Sequence, residues 1–219
     1  MLNKLVDIVR NPVTTIIKKA ETEDIRKEAI KAVILSLVIA LVDLISTVIS
    51  IISKFTKNDF WYKNYTSSQL WEKRFEAMGK AELFSSFFKS FVIALIAIAV
   101  IAGILFLIAR IAKSKKSYDK MLSMVNNVVI ISIIGTILKL ILSFIYEPLA
   151  LLVMFGVSVY AFFSLIFAFR DSLEIENADI LVLATTVVLS IVTVILVVIL
   201  CAVSGVALSD IGGFVDMLG

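Results

Sequence analysis

The sequence predicts an all-α, polytopic integral membrane protein: a five-helix transmembrane bundle preceded by an N-terminal amphipathic helix. Three observations indicate this class. Of the 219 residues, 60% are of the A/V/I/L/M/F/W/Y/C types, whereas a soluble domain reaches only about 45–50% even with glycine included. Charged residues make up 18% of the chain, against ~25% in soluble proteins. These charges leave five apolar runs, each with the ~20 residues that a helix needs to cross a bilayer.

The first element is an amphipathic helix within residues 1–29, a segment predicted to lie on the cytoplasmic side of the membrane. Apolar side chains from Leu2 to Ile17 fall on one stripe at helical spacing, which Pro12 interrupts. Four basic residues of this segment are the candidate membrane-surface contacts: Lys4, Arg10, Lys18 and Lys19. A helix of this kind lies on the inner leaflet, where basic residues meet anionic lipid. The alternative is that the stripe packs on the protein's own helices.

The membrane domain is predicted to occupy residues 30–209, and the tail at 210–219 is predicted to be external. The five spans lie near residues 32–53, 90–109, 121–146, 148–169 and 180–204. Each helix satisfies its own backbone hydrogen bonds in lipid. Glu147-Pro148 is predicted to form a tight turn between the third and fourth spans, because one kinked helix across it would far exceed the ~20 residues of a single crossing.

The distribution of lysine and arginine predicts that the N-terminus is inside and the C-terminus outside. Thirteen of these residues lie in the N-terminal segment and in the second and fourth connections, whereas seven lie in the connection at 54–89. The side that is richer in basic residues is the cytoplasmic side. Lysine outnumbers arginine 16 to 5, which favours an AT-rich bacterial genome. The predicted location is therefore a bacterial cytoplasmic membrane.

The external connection at 54–89 is rich in aromatic residues. These residues have two readings: an aromatic belt at the outer membrane interface, or a loop that binds a ligand or partner. In the second case the candidate external partner contacts are Trp61, Tyr62 and Trp71.

Polar residues inside the predicted spans form two stripes at helical spacing. The first span carries one stripe around Asp43, and the third span carries another around Lys139, with Asn126 and Asn127 nearer its cytoplasmic end. The candidate intramembrane polar site consists of Asp43, Ser46, Thr47, Thr136 and Lys139. Intramembrane charges cost ~2.5–3.5 kcal/mol on insertion scales, so both charged side chains are expected to face the bundle interior or water.

Three interpretations of Asp43 and Lys139 remain open at this point. The two residues lie at depths that differ by ~5 Å at the rise of an α-helix, which is within the reach of a lysine. They form an ion pair that clamps the bundle, or they form a protonatable or ion-coordinating site. In the third interpretation Lys139 extends to the surface and Asp43 is neutral.

Several absences limit the chemistry of the chain. It contains no histidine and only one cysteine, Cys201, so internal disulfides and multi-cysteine metal sites are excluded. No glycine-rich nucleotide-binding loop occurs, and no basic face carries a stacking platform for nucleic acid. The sequence therefore predicts no catalytic residue, cofactor or metal, and no nucleic-acid partner.

Several features together resemble the Yip family, whose members span the membrane five times and interact with Rab GTPases in eukaryotes. These features are Asn11-Pro12 near the start, a short amphipathic lead-in, five closely spaced helices, and Lys115-Lys116-Ser117-Tyr118 at the start of the third span. The resemblance implies a non-enzymatic membrane protein that acts through protein partners or through membrane organisation. The expected partners are the bilayer and other membrane proteins, and a homo-oligomer is left open. The alternative function is a small transporter or channel subunit built around Asp43 and Lys139.

Overall fold

The structure, a computed structural model of the chain, describes residues 10–20, 24–57, 79–173 and 183–191. These residues form the following helices: α1 (Pro12–Ala20), α2 (Ile25–Lys57), α3 (Lys80–Ile111), α4 (Tyr118–Ser143) and α5 (Glu147–Leu173). Residues 183–191 are also helical, and the described ranges contain no strand. The helical fold class is as predicted.

Within the described ranges, four helices are long and apolar enough to cross a membrane. The apolar spans are Ile25–Ile49 in α2, Leu83–Ile111 in α3, Tyr118–Ser143 in α4 and Pro148–Leu173 in α5. They correspond to the first four predicted spans. Most of the fifth predicted span, 180–204, lies outside the described residues, so the count of five remains a prediction.

The helices extend past the charges that were used to predict their ends. The apolar span in α2 begins at Ile25 rather than near residue 32, and α3 begins at Lys80 rather than near residue 90. The described ends of the 54–89 connection are therefore helical. The physical reason is that a charged residue on an exposed helix face, such as Lys89, does not interrupt the backbone hydrogen bonds.

Helix α1 begins at a proline and packs on the rest of the protein. Pro12 is the first helical residue, where its missing N–H is not needed, and the Asn11 carbonyl accepts a hydrogen bond from the Thr15 N–H at 3.2 Å. Ile16 and Ala20 are buried, and α1 contacts α4 and α5. For the described part of the apolar stripe, the structure therefore shows packing on the protein's own helices, whereas residues 2–9 of the stripe lie outside the described residues.

Helix α4 is the centre of the bundle, since it contacts α1, α2, α3 and α5. Every residue from Met121 to Val128 is buried, because other helices surround this end of α4 on all sides. Farther along, α4 and α5 approach closely at Gly135, where an added Cβ would lie 2.9 Å from the Cβ of Val157. Large apolar side chains cover the outside of the bundle, for example Phe155 at 72% exposure, as expected of a surface that faces lipid.

The turn between α3 and α4 is a helix-ending motif that normally contains glycine. The Ser114 N–H donates to the Ala109 carbonyl at 2.9 Å, and the Lys113 N–H donates to the Arg110 carbonyl at 3.0 Å, which is the Schellman pattern. Lys113 has a φ of 59°. A residue with a Cβ pays roughly 1–2 kcal/mol for this left-handed conformation.

We expect Lys113→Gly to stabilise the protein by up to about 1 kcal/mol, because relief of the left-handed conformation exceeds the extra backbone entropy that glycine loses on folding. The thermal unfolding midpoint of the purified protein in detergent measures the effect. Lys113→Ala removes the charge but keeps the Cβ, so it should give no gain. Equal gains for both variants would attribute the effect to charge instead.

Candidate functional site

A buried polar cluster joins the start of α2 to the start of α4. The Asn126 side-chain amide donates a hydrogen bond to Glu28 Oε2 at 2.6 Å and another to the Glu28 backbone carbonyl at 3.0 Å. Both residues are fully buried. One amide group therefore holds the carboxylate and the backbone of the facing helix at once. This Glu28 cluster comprises Glu28, Lys31, Ser123, Asn126 and Asn127.

Lys31 supplies the positive charge of the Glu28 cluster. Its Nζ lies 3.4 Å from Glu28 Oε1 and donates to Asn127 Oδ1 at 3.2 Å. The Asn127 amide in turn donates to the Ser123 carbonyl at 2.8 Å. Lys31 is 29% exposed, so its ammonium group reaches toward the surface while it compensates a carboxylate that is wholly buried. The cluster contains one charge of each sign, and burying charges is tolerable only with such pairing.

Two atoms of the Glu28 cluster have no hydrogen-bond partner within the described residues: Ser123 Oγ and Asn126 Oδ1. A buried polar atom without a partner costs about 1–3 kcal/mol. The cluster is therefore only partly satisfied, and its stability depends on the bonds that Asn126 makes through its amide nitrogen.

Sequence reasoning identified two of the five residues of the Glu28 cluster. It noted Asn126 and Asn127 as polar residues near the cytoplasmic end of a span, but it assigned Glu28 to the segment before the membrane domain. The sequence did contain a signal for the other members of the cluster. Two adjacent amide side chains in an apolar helix need hydrogen-bond partners at the same depth in the membrane. The charged residues at the start of the first span supply them.

A second polar region, the Asp43 cavity, lies between the middle of α2 and the second half of α4. Its volume is about 290 Å³. Its polar lining residues are Asp43, Ser46, Ser132, Thr136 and Lys139, together with three aliphatic side chains. Four of the five predicted intramembrane site residues therefore surround one cavity. The fifth, Thr47, does not line it and donates a hydrogen bond to the Asp43 carbonyl of its own helix at 3.0 Å.

Asp43 and Lys139 face the same cavity but do not form an ion pair. The Ser90 hydroxyl on α3 donates to Asp43 Oδ2 at 2.5 Å, a length typical of a hydroxyl on a carboxylate. Glu28 and Lys31 are joined by an ion pair, whereas Asp43 and Lys139 are not. Of the three interpretations of these two charges, the structure thus does not contain the clamping ion pair.

The remaining candidates are the predicted membrane-surface contacts and the predicted external partner contacts. Some of them are exposed in the structure, and the others lie outside the described residues. Arg10 and Lys18 are exposed, so both remain predicted contacts to the membrane surface even though the apolar stripe packs on protein. The other candidates lie outside the described residues: Lys4, the Lys19 side chain, Trp61, Tyr62 and Trp71. Within the described ranges, no three His, Cys, Asp or Glu side chains come close enough to hold a metal.

Comparison with known protein families gives a match that covers most of the chain. A family model described as the Yip1 domain matches residues 6–200, which covers most of the chain. The matched segment includes both the Glu28 cluster and the Asp43 cavity. Neither a curated protein sequence nor a solved structure matches the chain.

Proposed function

The chain belongs to the Yip1 family, and on this premise we propose that it is a non-enzymatic membrane protein that acts through protein partners. Members of this family are generally non-enzymatic membrane proteins. The four long apolar helices are consistent with an integral membrane protein. The partner-mediated role is the part that requires a test.

The observation that carries the proposal is the use of the Glu28 cluster in helix packing. Its carboxylate is fully buried and bonded to Asn126 and Lys31, so it is not presented to a substrate. The same end of the bundle carries exposed basic side chains at the start of α2 and the end of α3. This basic rim consists of Arg26, Lys27, Arg110, Lys113 and Lys115. A helix end with a basic rim is electrostatically complementary to an acidic protein surface, and such a surface is the kind of partner that we propose.

The proposed orientation places the basic rim in the cytoplasm of a bacterial cell, with the C-terminus outside. In a Cys201→Ser background, a membrane-impermeant thiol reagent added from outside should label Ser67→Cys and Met217→Cys and spare Lys115→Cys. The expected pattern follows from the excess of lysine and arginine on one side. Strong labelling of position 115 in intact cells would reverse the orientation.

Site-specific photo-cross-linking in native membranes tests the partner-mediated role. A benzophenone amino acid at position 27 or 115 should form a discrete adduct with another protein, and Lys113→Glu should weaken it by reversing one rim charge. Position 155, on the exposed apolar face of α5, is the matched control and should react with lipid only. Adducts of equal strength at all three positions would show nonspecific contact.

A second measurement tests the alternative that the protein is a transporter or channel subunit. On the Glu28 side of the Asp43 cavity, Ser36 and Ala40 on α2 and Ile131 on α4 are buried, so these side chains close the space between α2 and α4 toward that end of the bundle. Purified protein in proteoliposomes is therefore expected to show no ion or proton flux above that of protein-free vesicles. Flux that disappears with Asp43→Asn would replace the partner-mediated role with transport.

A further inference from the structure

The Asp43 cavity contains two opposite charges that lie inside apolar spans and do not neutralise each other. Asp43 belongs to the span Ile25–Ile49, and Lys139 belongs to Tyr118–Ser143. The Asp43 carboxylate accepts a hydrogen bond from the Ser90 hydroxyl. Within the part of the chain that the structure describes, Lys139 Nζ has neither a hydrogen bond nor an ion pair. A charge in a membrane span is expensive unless another charge or water compensates it, and here the facing charge does not.

The lining of the cavity is suited to water. The space of about 290 Å³ holds several water molecules, each of which takes about 30 Å³ in the liquid. Besides the two charges, the hydroxyl groups of Ser46, Ser132 and Thr136 line it, and each hydroxyl can donate to water or accept from it. Internal cavities that stay dry are lined by apolar side chains, whereas an internal water needs two to four polar partners. The Asp43 cavity offers five polar side chains.

The cavity is closed on one side and reaches the surface of the bundle on another. Toward the Glu28 cluster, the buried side chains of Ser36, Ala40 and Ile131 fill the space between α2 and α4. Asp43 itself is exposed, and Lys139 is only half-buried. Water that compensates these charges therefore enters from the side of the membrane away from the Glu28 cluster.

We propose that the Asp43 cavity is a water-filled pocket, blind toward the Glu28 cluster, in which Asp43 and Lys139 are both charged. It takes small water-soluble ions, with cationic groups at the Asp43 end and anionic groups at the Lys139 end. Ser46 and Thr136 are each three residues from one of these charges and are its neighbours on the helix. A blind pocket is not a transport pathway, so the proposal does not depend on the partner-mediated role.

Thiol labelling of the full-length protein in sealed membrane vesicles tests the proposal. In the Cys201→Ser background, charged methanethiosulfonate reagents should modify Ser46→Cys and Thr136→Cys at least about tenfold faster than Ile45→Cys and Ile137→Cys, because the reactive thiolate forms in water. The two isoleucines are the matched controls. They are exposed and lie at the same depth, but each is two residues from a charge and therefore on the other face of its helix.

The side of entry is measured in the same vesicles. Lys115 lies in the turn between α3 and α4, at the end of the bundle that carries the Glu28 cluster. A reagent on the side that labels Lys115→Cys should spare Ser46→Cys, and a reagent on the other side should label it. This comparison is independent of which side is the cytoplasm.

A pair of reagents of opposite charge tests whether both residues are ionised. Asp43→Asn should lower the ratio of cationic to anionic labelling at Ser46→Cys about fivefold, as expected for unit charges a few ångströms apart in water. Lys139→Met should raise the same ratio at Thr136→Cys by a similar factor. Lys113→Ala removes an exposed charge from the distant turn and should change neither ratio.

Three results would overturn the proposal. Equal rates at Ser46→Cys and Ile45→Cys would mean that the cavity is dry if both are slow, or that the bundle does not enclose it if both are fast. Labelling of Ser46→Cys from the Lys115 side would show that the pocket is not blind there. Ratios that do not respond to the charge variants would show that the two residues are neutral. The rate comparison retains both charges, so it decides the matter even if a charge variant does not fold.

Discussion

Asn126→Leu is expected to destabilise the bundle by about 3 kcal/mol, because it leaves the fully buried Glu28 carboxylate without its closest donor. A buried acceptor that loses its donor costs about 1–3 kcal/mol, and more when the acceptor is charged. The upper end of that range applies to the Glu28 carboxylate, because Lys31 at 3.4 Å remains as its counter-charge. The lost bonds, at 2.6 and 3.0 Å, join α4 to α2. The free energy of unfolding in mixed micelles measures the loss.

Two further variants separate the loss of this bond from the simple loss of a polar group. Thr136→Val removes a hydroxyl whose described hydrogen bond is to its own helix, so it should cost far less than Asn126→Leu. Glu28→Gln keeps an acceptor for the Asn126 amide and abolishes the buried charge, so adding it to Asn126→Leu should recover part of the loss. If Asn126→Leu is as stable as Thr136→Val, the Glu28 cluster does not hold α2 against α4.

The spans were predictable because the bilayer imposes their length. Runs of about 20 apolar residues have few alternatives to a crossing helix, and the structure has such helices at the first four predicted positions. The helix ends were not predictable in the same way. Glu28 was expected to lie before the membrane domain, yet it is buried inside α2. A hydropathy pattern records the cost of a charge but cannot show that Lys31 and Asn126 compensate for it.

The candidate site was predictable where its residues share a helix face. Asp43 and Ser46, or Thr136 and Lys139, are three residues apart and therefore neighbours on one helix. The contact between different helices was not predictable. Ser90 donates to Asp43 from α3, but a serine at the end of an apolar run gives no sign of its partner. Nor does the sequence distinguish an ion pair from two charges that face a cavity, because that difference depends on helix separation.

Gly135→Ala is expected to destabilise the packing of α4 on α5 by about 1–3 kcal/mol, the usual cost of an overpacked core. The new Cβ would overlap Val157 Cγ1 and would lie 2.9 Å from Val157 Cβ. A methyl group can rotate away from such a contact, but the Val157 Cβ is fixed to its backbone. The two helices must therefore separate, and the unfolding free energy in micelles should fall.

Gly103→Ala provides the matched control for this prediction. A Cβ at Gly103, on α3, would meet no atom within 4 Å, so the substitution should be neutral or should stabilise the helix by up to roughly 1 kcal/mol through propensity alone. Opposite signs for the two alanines would show that the loss at Gly135 comes from contact and not from helix propensity. Val157→Ala removes the two γ carbons, so the double variant should lose less than the sum of the single variants. Additive losses would instead mean that α4 and α5 do not meet at this pair of residues.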